Sequence, residues 1–448
     1  MADNGSHTLP ARSVGRTLPT AGESVAAPPF LLPALHFFAA LGWLTVAALL
    51  VVALAPALAQ GRIFDPPVFV LVHALTLGVV TTAIFGTLQQ FVPSGLGVPL
   101  RSIRLGFVGF WLLQTGIVLL ILGFWWWRGV LQMLGWLCIL AAVGAVSRNV
   151  LRVRRRSVHG KLVGLFISVA HSALGAGMFV ALARIGETIG WWHVDRLFLI
   201  AAHAMLGTIG FGTLSAIGVG SRMLPTFLMG PGDDRVWLHW QLGLTSAALL
   251  LFSVGAIITN GLVMRFGGWL LLVAAIPTLG LLVRWFRRRR RTLDGALWHV
   301  AASAMALAVS TGIGLCLLVG DPWRFARWSA LLVALLMGWL AALIVGVMAK
   351  ILPHLSYINL ARTMPGFSAI GTPNGLLRED WQRWSAFVMA IGCLTLVAAL
   401  AFEHSAIARG AAILWAIGVL IAVANVVRMF VLGRRAPLSR MEPMPSGE

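Results

Sequence analysis

Long apolar segments alternate with short polar ones along almost the whole chain. Reading each run of about 20 apolar residues as one membrane-spanning helix predicts an all-α membrane protein with twelve transmembrane helices. Hydrophobic residues make up 59% of the 448 positions and charged residues only 11%, which excludes an ordinary soluble domain. The expected spans are 30–59, 68–93, 105–127, 130–151, 162–184, 196–225, 236–261, 267–286, 296–319, 326–353, 384–402 and 407–432.

Neither end of the chain follows this pattern. Residues 1–28 are polar, rich in Pro, Ser, Thr and Ala, and lack the apolar core of a signal peptide. They are predicted to form a disordered cytoplasmic tail. Residues 436–448 are predicted to form a second cytoplasmic tail.

The charge balance is strongly basic, with 34 Lys and Arg against 14 Asp and Glu. The basic residues stand in short runs between apolar segments, above all at 152–156 and 287–291, which indicates topology and not nucleic-acid binding. With these runs inside, both termini lie in the cytoplasm of a bacterial-type cell, and the chain is a multi-pass protein of its cytoplasmic (inner) membrane. The expected partner is lipid, including anionic lipid.

Three helix ends share one pattern, a Gly seven residues before a Pro with a long polar residue between them, at Gly86–Pro93, Gly218–Pro225 and Gly346–Pro353. Each Pro is expected to end its helix, because it cannot donate the next backbone hydrogen bond. The spacing predicts three similarly oriented four-helix units around an axis along the membrane normal, with predicted helices 2, 6 and 10 lining the centre. The units are 29–161, 162–295 and 296–435.

Histidines follow the same repeat. His73 and His203 lie 20 and 22 residues before their prolines, and we expect them at similar depth, about 8 to 10 Å inside the outer boundary. The third unit has Val333 and Ala334 in this place, so it lacks the outer histidine. A second set lies toward the cytoplasmic ends of helices 1, 5 and 9: His36, His171 and His299.

An ionisable residue inside a membrane is costly, and it is therefore a candidate functional residue. Two facing neutral imidazoles suit the axial positions of a haem iron, so His73 and His203 are the candidate haem ligands. Two of the inner histidines would suit a second haem, or all three a copper or other transition ion. The alternative is that each histidine is neutral and hydrogen-bonded across helices. The three cysteines fall singly in predicted helices and imply neither disulfides nor a zinc knuckle.

The segment from His73 through Gly78 and Gly86 to Pro93 resembles the second-helix signature of the NnrS family of haem- and copper-containing membrane proteins linked to the nitric oxide response. The whole chain, with twelve helices in three arcs, also looks like a divergent relative of haem-copper oxidase subunit I. That resemblance implies that His73 ligates haem b near the outer face. In that superfamily the sixth-helix histidine is a copper ligand, which gives His203 a second candidate role.

The chain departs from the oxidase pattern where a binuclear centre is formed. Predicted helix 7 has only His239, at its cytoplasmic edge, and 326–353 contains no histidine. Tyr357 is the single tyrosine, in a predicted loop, and no Asp or Glu falls inside a predicted span, the nearest being Glu403. The sequence therefore predicts an oxidase-like scaffold without a complete oxygen- or nitric-oxide-reducing centre, and no catalytic residue is assigned.

Three functions follow from these features. The first is a haem b-binding membrane protein in electron transport or the response to a diatomic gas, working with an electron-transfer protein or other membrane subunits. The second is a transporter or channel, and the third a metal-free accessory subunit on an oxidase-like scaffold. A conduit would be lined by the polar residues of the spans, which are Gln89, Gln90, Gln114, Arg222 and Lys350.

Overall fold

A computed structural model describes residues 28–157, 160–193, 196–321, 323–363 and 373–435. The predictions for the two tails fall outside these ranges, apart from residue 28. Within them the chain is helical, and twelve helices are long and apolar enough to cross a membrane. These are α1 Leu31–Ala59, α2 Pro66–Leu96, α3 Ile103–Trp125, α4 Gly129–Arg155, α5 Lys161–Ile189, α6 Leu197–Phe227, α7 Arg235–Ile257, α8 Gly261–Arg287, α9 Gly295–Val319, α10 Phe325–Arg362, α11 Glu379–Ala401 and α12 Ser405–Val431. The protein is therefore an all-α, multi-pass membrane protein, in contact with lipid.

Several helices are longer than the hydropathy pattern predicts. α5 continues to Ile189 and so contains Arg184 and Glu187, whose side chains pair with each other. The Glu187 side chain is only 6% exposed. The helix therefore includes an acidic residue that the predicted span 162–184 does not. A carboxylate paired with an arginine on the next turn does not interrupt a helix, because the pair reduces the cost of burying either charge.

The repeated prolines do not end their helices. α2 continues three residues beyond Pro93 to Leu96, and the next residue, Gly97, has the left-handed backbone conformation (φ 66°). α10 continues through Pro353 as far as Arg362. Proline removes one backbone donor, and a helix packed among other helices tolerates this loss. The predicted stop at Pro353 was wrong.

Three helices share an unusual feature midway along their length. α2, α6 and α10 each change from α to π geometry for eight residues, at Ala74–Thr81, Leu206–Thr213 and Ala334–Ala341. The three π segments contact one another. α10 and α2 are also the most buried of the twelve helices, with 83% and 67% of an apolar 18-residue stretch buried in each. These three helices therefore meet inside the bundle.

Threonine hydroxyls support two of the π segments. Thr81 donates a hydrogen bond to the Thr76 carbonyl, and Thr213 donates to the Thr208 carbonyl, each five residues back along its helix. In a π turn the backbone N–H reaches the carbonyl five residues back, and these hydroxyls bond carbonyls at that same separation.

The other helices surround these three in a repeated manner. α1, α5 and α9 pack along α2, α6 and α10 respectively. The remaining helices form three closely packed antiparallel pairs, α3 with α4, α7 with α8, and α11 with α12. Gly116 of α3 and Gly135 of α4 permit one such close approach, because a Cβ on either would lie within 3 Å of the other helix.

Candidate functional site

His73 and His203 lie together between α2 and α6. Their ring centroids are 6.1 Å apart and their ring planes differ by 26°. His73 is the last residue before the π segment of α2, and His203 lies three residues before that of α6. α2 and α6 are in close contact along their π segments. They lie further apart in the segments just before these, which carry His73 and His203. The histidines therefore face each other where the two helices diverge.

Both imidazoles are oriented by backbone carbonyls. Nδ1 of His73 donates to the carbonyl of Phe69, one turn earlier on the same helix, at 2.8 Å. Nδ1 of His203 donates to the carbonyl of Gly177, on α5, at 2.9 Å. Because Nδ1 is the donor in each ring, Nε2 of the neutral ring carries a free lone pair. This is the arrangement that fixes the tautomer of a metal-binding histidine.

The surroundings of the pair are aromatic. The ring of Phe124 on α3 lies 4.7 Å from that of His73, and Phe69 stacks on Phe124 at 5.6 Å. Trp127, two residues beyond the end of α3, extends this aromatic wall, with its ring 6.1 Å from that of Phe69. Both histidines are half-buried. The site thus combines two nitrogen donors with an apolar wall.

The donor set fits a haem iron, which neutral imidazole nitrogens bind. His73 and His203 would be the residues that hold it, since their ring centroids are only 6.1 Å apart. The residues present therefore fit the group that the sequence resemblance implies.

The three inner histidines occupy separate places. Nδ1 of His36 donates to Leu32, and its Nε2 accepts a hydrogen bond of 3.3 Å from the Gln89 side chain. His171 donates from Nδ1 to Ile167, and its ring lies parallel to Phe85 at 6.1 Å.

His299 has a third kind of environment. It is 1% exposed and lines a cavity of about 20 Å³ with Gln382, Ser385 and Asn425. The three inner histidines therefore have three different sets of neighbours, and none of them is a neighbour of another in these contacts.

The inner histidine of α5 does not occupy the position that its counterparts occupy on α1 and α9. A Cβ added to Gly86 would lie 2.5 Å from Cβ of His36, and one added to Gly346 would lie 3.0 Å from Cβ of His299. The corresponding Gly218 meets Phe166, and not His171. His171 is therefore five residues, about 7.5 Å, further along its helix than the position equivalent to His36.

The structure consequently does not bring His36, His171 and His299 together. In the part of the chain that it describes, no group of three or more His, Cys, Asp or Glu side chains is placed to hold a metal ion. The geometry therefore distinguishes the outer pair, whose rings lie side by side, from the inner three, which have separate surroundings.

One residue of the site has no signal in the sequence. Gly177 contributes only its carbonyl oxygen to His203, and one glycine among several in α5 does not stand out. The aromatic wall was likewise missed, because Phe69 and Phe124 are indistinguishable from ordinary lipid-facing residues in an apolar run.

No protein-family model matches the sequence, and no curated protein matches it. Function is therefore inferred from the residues and their geometry.

Proposed function

We propose that the protein is a haem b-binding integral membrane protein of the NnrS and haem-copper-oxidase-like type, with His73 and His203 as axial ligands. The observation that carries this proposal is the pair itself, two rings 6.1 Å apart with both Nδ1 atoms bonded to carbonyls. Haem bound at this site supplies one-electron transfer. The chain's own residues hold the two imidazoles in the correct tautomer and surround them with apolar rings.

Electron transfer is the function that two axial histidines support best. His203 is oriented by a carbonyl of a neighbouring helix, whereas His73 is oriented by its own helix. The position of the His203 ring thus depends on how α5 packs against α6. The proposal includes a role in the response to nitric oxide or another diatomic gas. An electron-transfer protein or further membrane subunits would be the partners.

The proposed architecture is three four-helix units around a pseudo-threefold axis, with both termini in the cytoplasm of a bacterial-type cell. The π segments begin at Ala74, Leu206 and Ala334, and so are 132 and 128 residues apart. The prolines at 93, 225 and 353 have the same two separations. Two independent features with one spacing support an internal repeat. The arginine runs support the orientation.

A transporter is the less favoured alternative, because three of the five polar residues expected to line a conduit bond to side chains elsewhere in the bundle. Gln89 donates to His36, and Gln114 both accepts from Trp43 and donates to Thr82. Lys350 pairs with Asp294. These contacts connect different parts of the bundle, which favours a structural role for the three side chains.

The proposal is tested by the optical spectrum of the purified protein, expressed with added haem precursor. We expect a Soret band, a low-spin spectrum and one extractable haem b per chain. His73→Ala and His203→Ala should each lose or strongly weaken the band, while His239→Ala should retain it, because His239 is exposed on α7. A colourless protein, or an unchanged band in the His73→Ala/His203→Ala double variant, would overturn the proposal.

A further inference from the structure

An open groove lies on the outward side of α7 and α8. Its volume is about 410 Å³, within the range of about 300–1,000 Å³ that ligand sites usually have. Three of its residues, Phe266, Trp269 and Val273, are 59%, 41% and 45% exposed, so the groove opens away from the bundle and toward lipid. All six residues that line it are apolar: Leu251, Val263, Phe266, Trp269, Leu270 and Val273.

The groove is formed by two helices that pack closely. A Cβ on Gly267 of α8 would lie 2.5 Å from the backbone nitrogen of Phe252, and one on Gly255 of α7 would lie 2.4 Å from that of Met264. The two backbones therefore meet without side chains between them at these glycines. The larger side chains beside this contact stand out from the helix pair and form the walls of the groove.

A cation stands next to the groove. Arg265 is four residues before Trp269, so the two side chains are neighbours on one face of α8. Arg265 is exposed, and it has no ion-pair or hydrogen-bond partner among the described residues. The indole Nε1–H of Trp269 likewise donates to none of these residues. A charged side chain on a spanning helix is costly unless it reaches water, a headgroup or a counter-ion.

The depth of both groups follows from the arginine run at the other end of α8. Arg265 precedes Arg287 by 22 residues, about 33 Å of helix, and Trp269 precedes it by 18 residues, about 27 Å. The hydrocarbon core of a bilayer is about 30 Å thick. With Arg287 at the cytoplasmic headgroups of the proposed orientation, Arg265 therefore lies at the level of the phosphates of the opposite leaflet. Trp269 lies just below them, at the level of the lipid ester carbonyls.

We propose that α7 and α8 bind one phospholipid of this outer leaflet. Its phosphate accepts hydrogen bonds from the Arg265 guanidinium, which can bind a phosphate through two parallel N–H groups. An ester carbonyl accepts the Nε1–H of Trp269, and one acyl chain covers the apolar groove. Phosphate, ester and chain follow one another along a phospholipid in the order in which Arg265, Trp269 and the groove follow one another across the membrane.

Other occupants fit less well. A free phosphate would meet Arg265 but would leave the apolar groove below it uncovered. A second copy of the chain, seated on the same helix pair by twofold symmetry, would have to supply the counter-charge from its own α7 or α8. Neither helix contains an Asp or Glu. A phospholipid supplies both the charge and the apolar surface.

The test is native mass spectrometry of the purified, delipidated protein during titration with dioleoyl phosphatidylglycerol. We expect one tightly bound lipid per chain. Arg265→Gln and Trp269→Leu should each weaken its binding about fivefold or more, since one arginine contributes about this factor at an anionic headgroup. The matched controls are Arg128→Gln, at the turn between α3 and α4 on the same side of the membrane, and Trp111→Leu, on the exposed face of α3. Neither should change the affinity.

Two competitors separate the parts of the lipid. Dioleoylglycerol has the chains without the phosphate, and glycerol 3-phosphate has the phosphate without the chains, and each should compete poorly. Unchanged affinity in both Arg265→Gln and Trp269→Leu would overturn the proposal, and so would full competition by glycerol 3-phosphate, which would show a simple anion site. A dimer that persists in excess lipid and is broken by Trp269→Leu would show that a second copy covers the groove instead.

Discussion

The indole Nε1–H of Trp339 donates a hydrogen bond of 2.9 Å to the hydroxyl of Thr213 and thereby joins the π segments of α10 and α6. Trp339 is 1% exposed and is among the largest fully buried side chains. In α10 the position corresponding to Thr213 is Ala341, so this segment has no hydroxyl of its own there. The hydrogen bond from Trp339 to Thr213, which joins two helices, takes the place of the threonine–carbonyl bond found within α2 and α6.

Thr213→Val should lower the free energy of unfolding by about 1–3 kcal/mol, because it leaves the buried indole donor of Trp339 without an acceptor. Thr81→Val is the matched control. Thr81 donates to a carbonyl five residues back, as Thr213 does, but accepts no bond from a tryptophan. The measurement is equilibrium unfolding in mixed micelles. Equal losses in the two variants would show that the Trp339 bond contributes nothing.

Gly86→Ala should lower the free energy of unfolding by about 1–3 kcal/mol through overpacking. The new Cβ would lie 2.5 Å from Cβ of His36, and backbone atoms of two packed helices would have to separate. Gly42→Ala on α1 is the control, because nothing lies within 4 Å of its added Cβ. It should be neutral or stabilising by up to about 1 kcal/mol. Equal thermal midpoints for the two variants would contradict the close approach of α1 and α2.

Asp294→Ala should cost about 3 kcal/mol of unfolding free energy. The Asp294 carboxylate pairs with Lys350, lies 3.3 Å from Arg291 and accepts the Leu297 N–H at the start of α9. Its removal leaves the Lys350 ammonium, only 10% exposed, without its partner. Lys350→Met should cost less, because Asp294 then keeps its other two partners. A larger loss of unfolding free energy in Lys350→Met than in Asp294→Ala would contradict this account of the ion pair.

His36→Ala should lower stability by about 2–3 kcal/mol, since it leaves a cavity and removes the acceptor of the Gln89 amide. It should not alter copper content or the haem spectrum, because His36 already uses both ring nitrogens in hydrogen bonds. Elemental analysis and the optical spectrum check this. Loss of one metal equivalent in His36→Ala would restore the three-histidine site that the sequence suggests.

The twelve helices were predictable because a run of about 20 apolar residues is typical of a membrane-spanning helix. Their ends were less predictable, since hydropathy does not record that Arg184 and Glu187 neutralise each other. A proline is also a poor indicator of the residue at which a helix ends. Pro93 stands three residues before the end of α2, whereas Pro353 stands nine residues before Arg362.

The outer histidines could be paired from the sequence, since both precede the repeated prolines by nearly equal counts. The inner histidines could not be aligned from the sequence. The number of residues between contacting positions on α5 and α6 differs from the number between those on α1 and α2. Only the contact between Gly218 and Phe166 reveals the correct register.

The π segments separate each central helix into two independent halves. A wide turn accommodates one residue more than an α turn, and an additional residue rotates everything beyond it by about 100°. The half of α2 before its π segment can therefore direct His73 toward α6, while the half after it presents Gly86 to α1. A substitution that returned the segment to α geometry would turn one half relative to the other, and the histidine pair would separate without loss of either side chain.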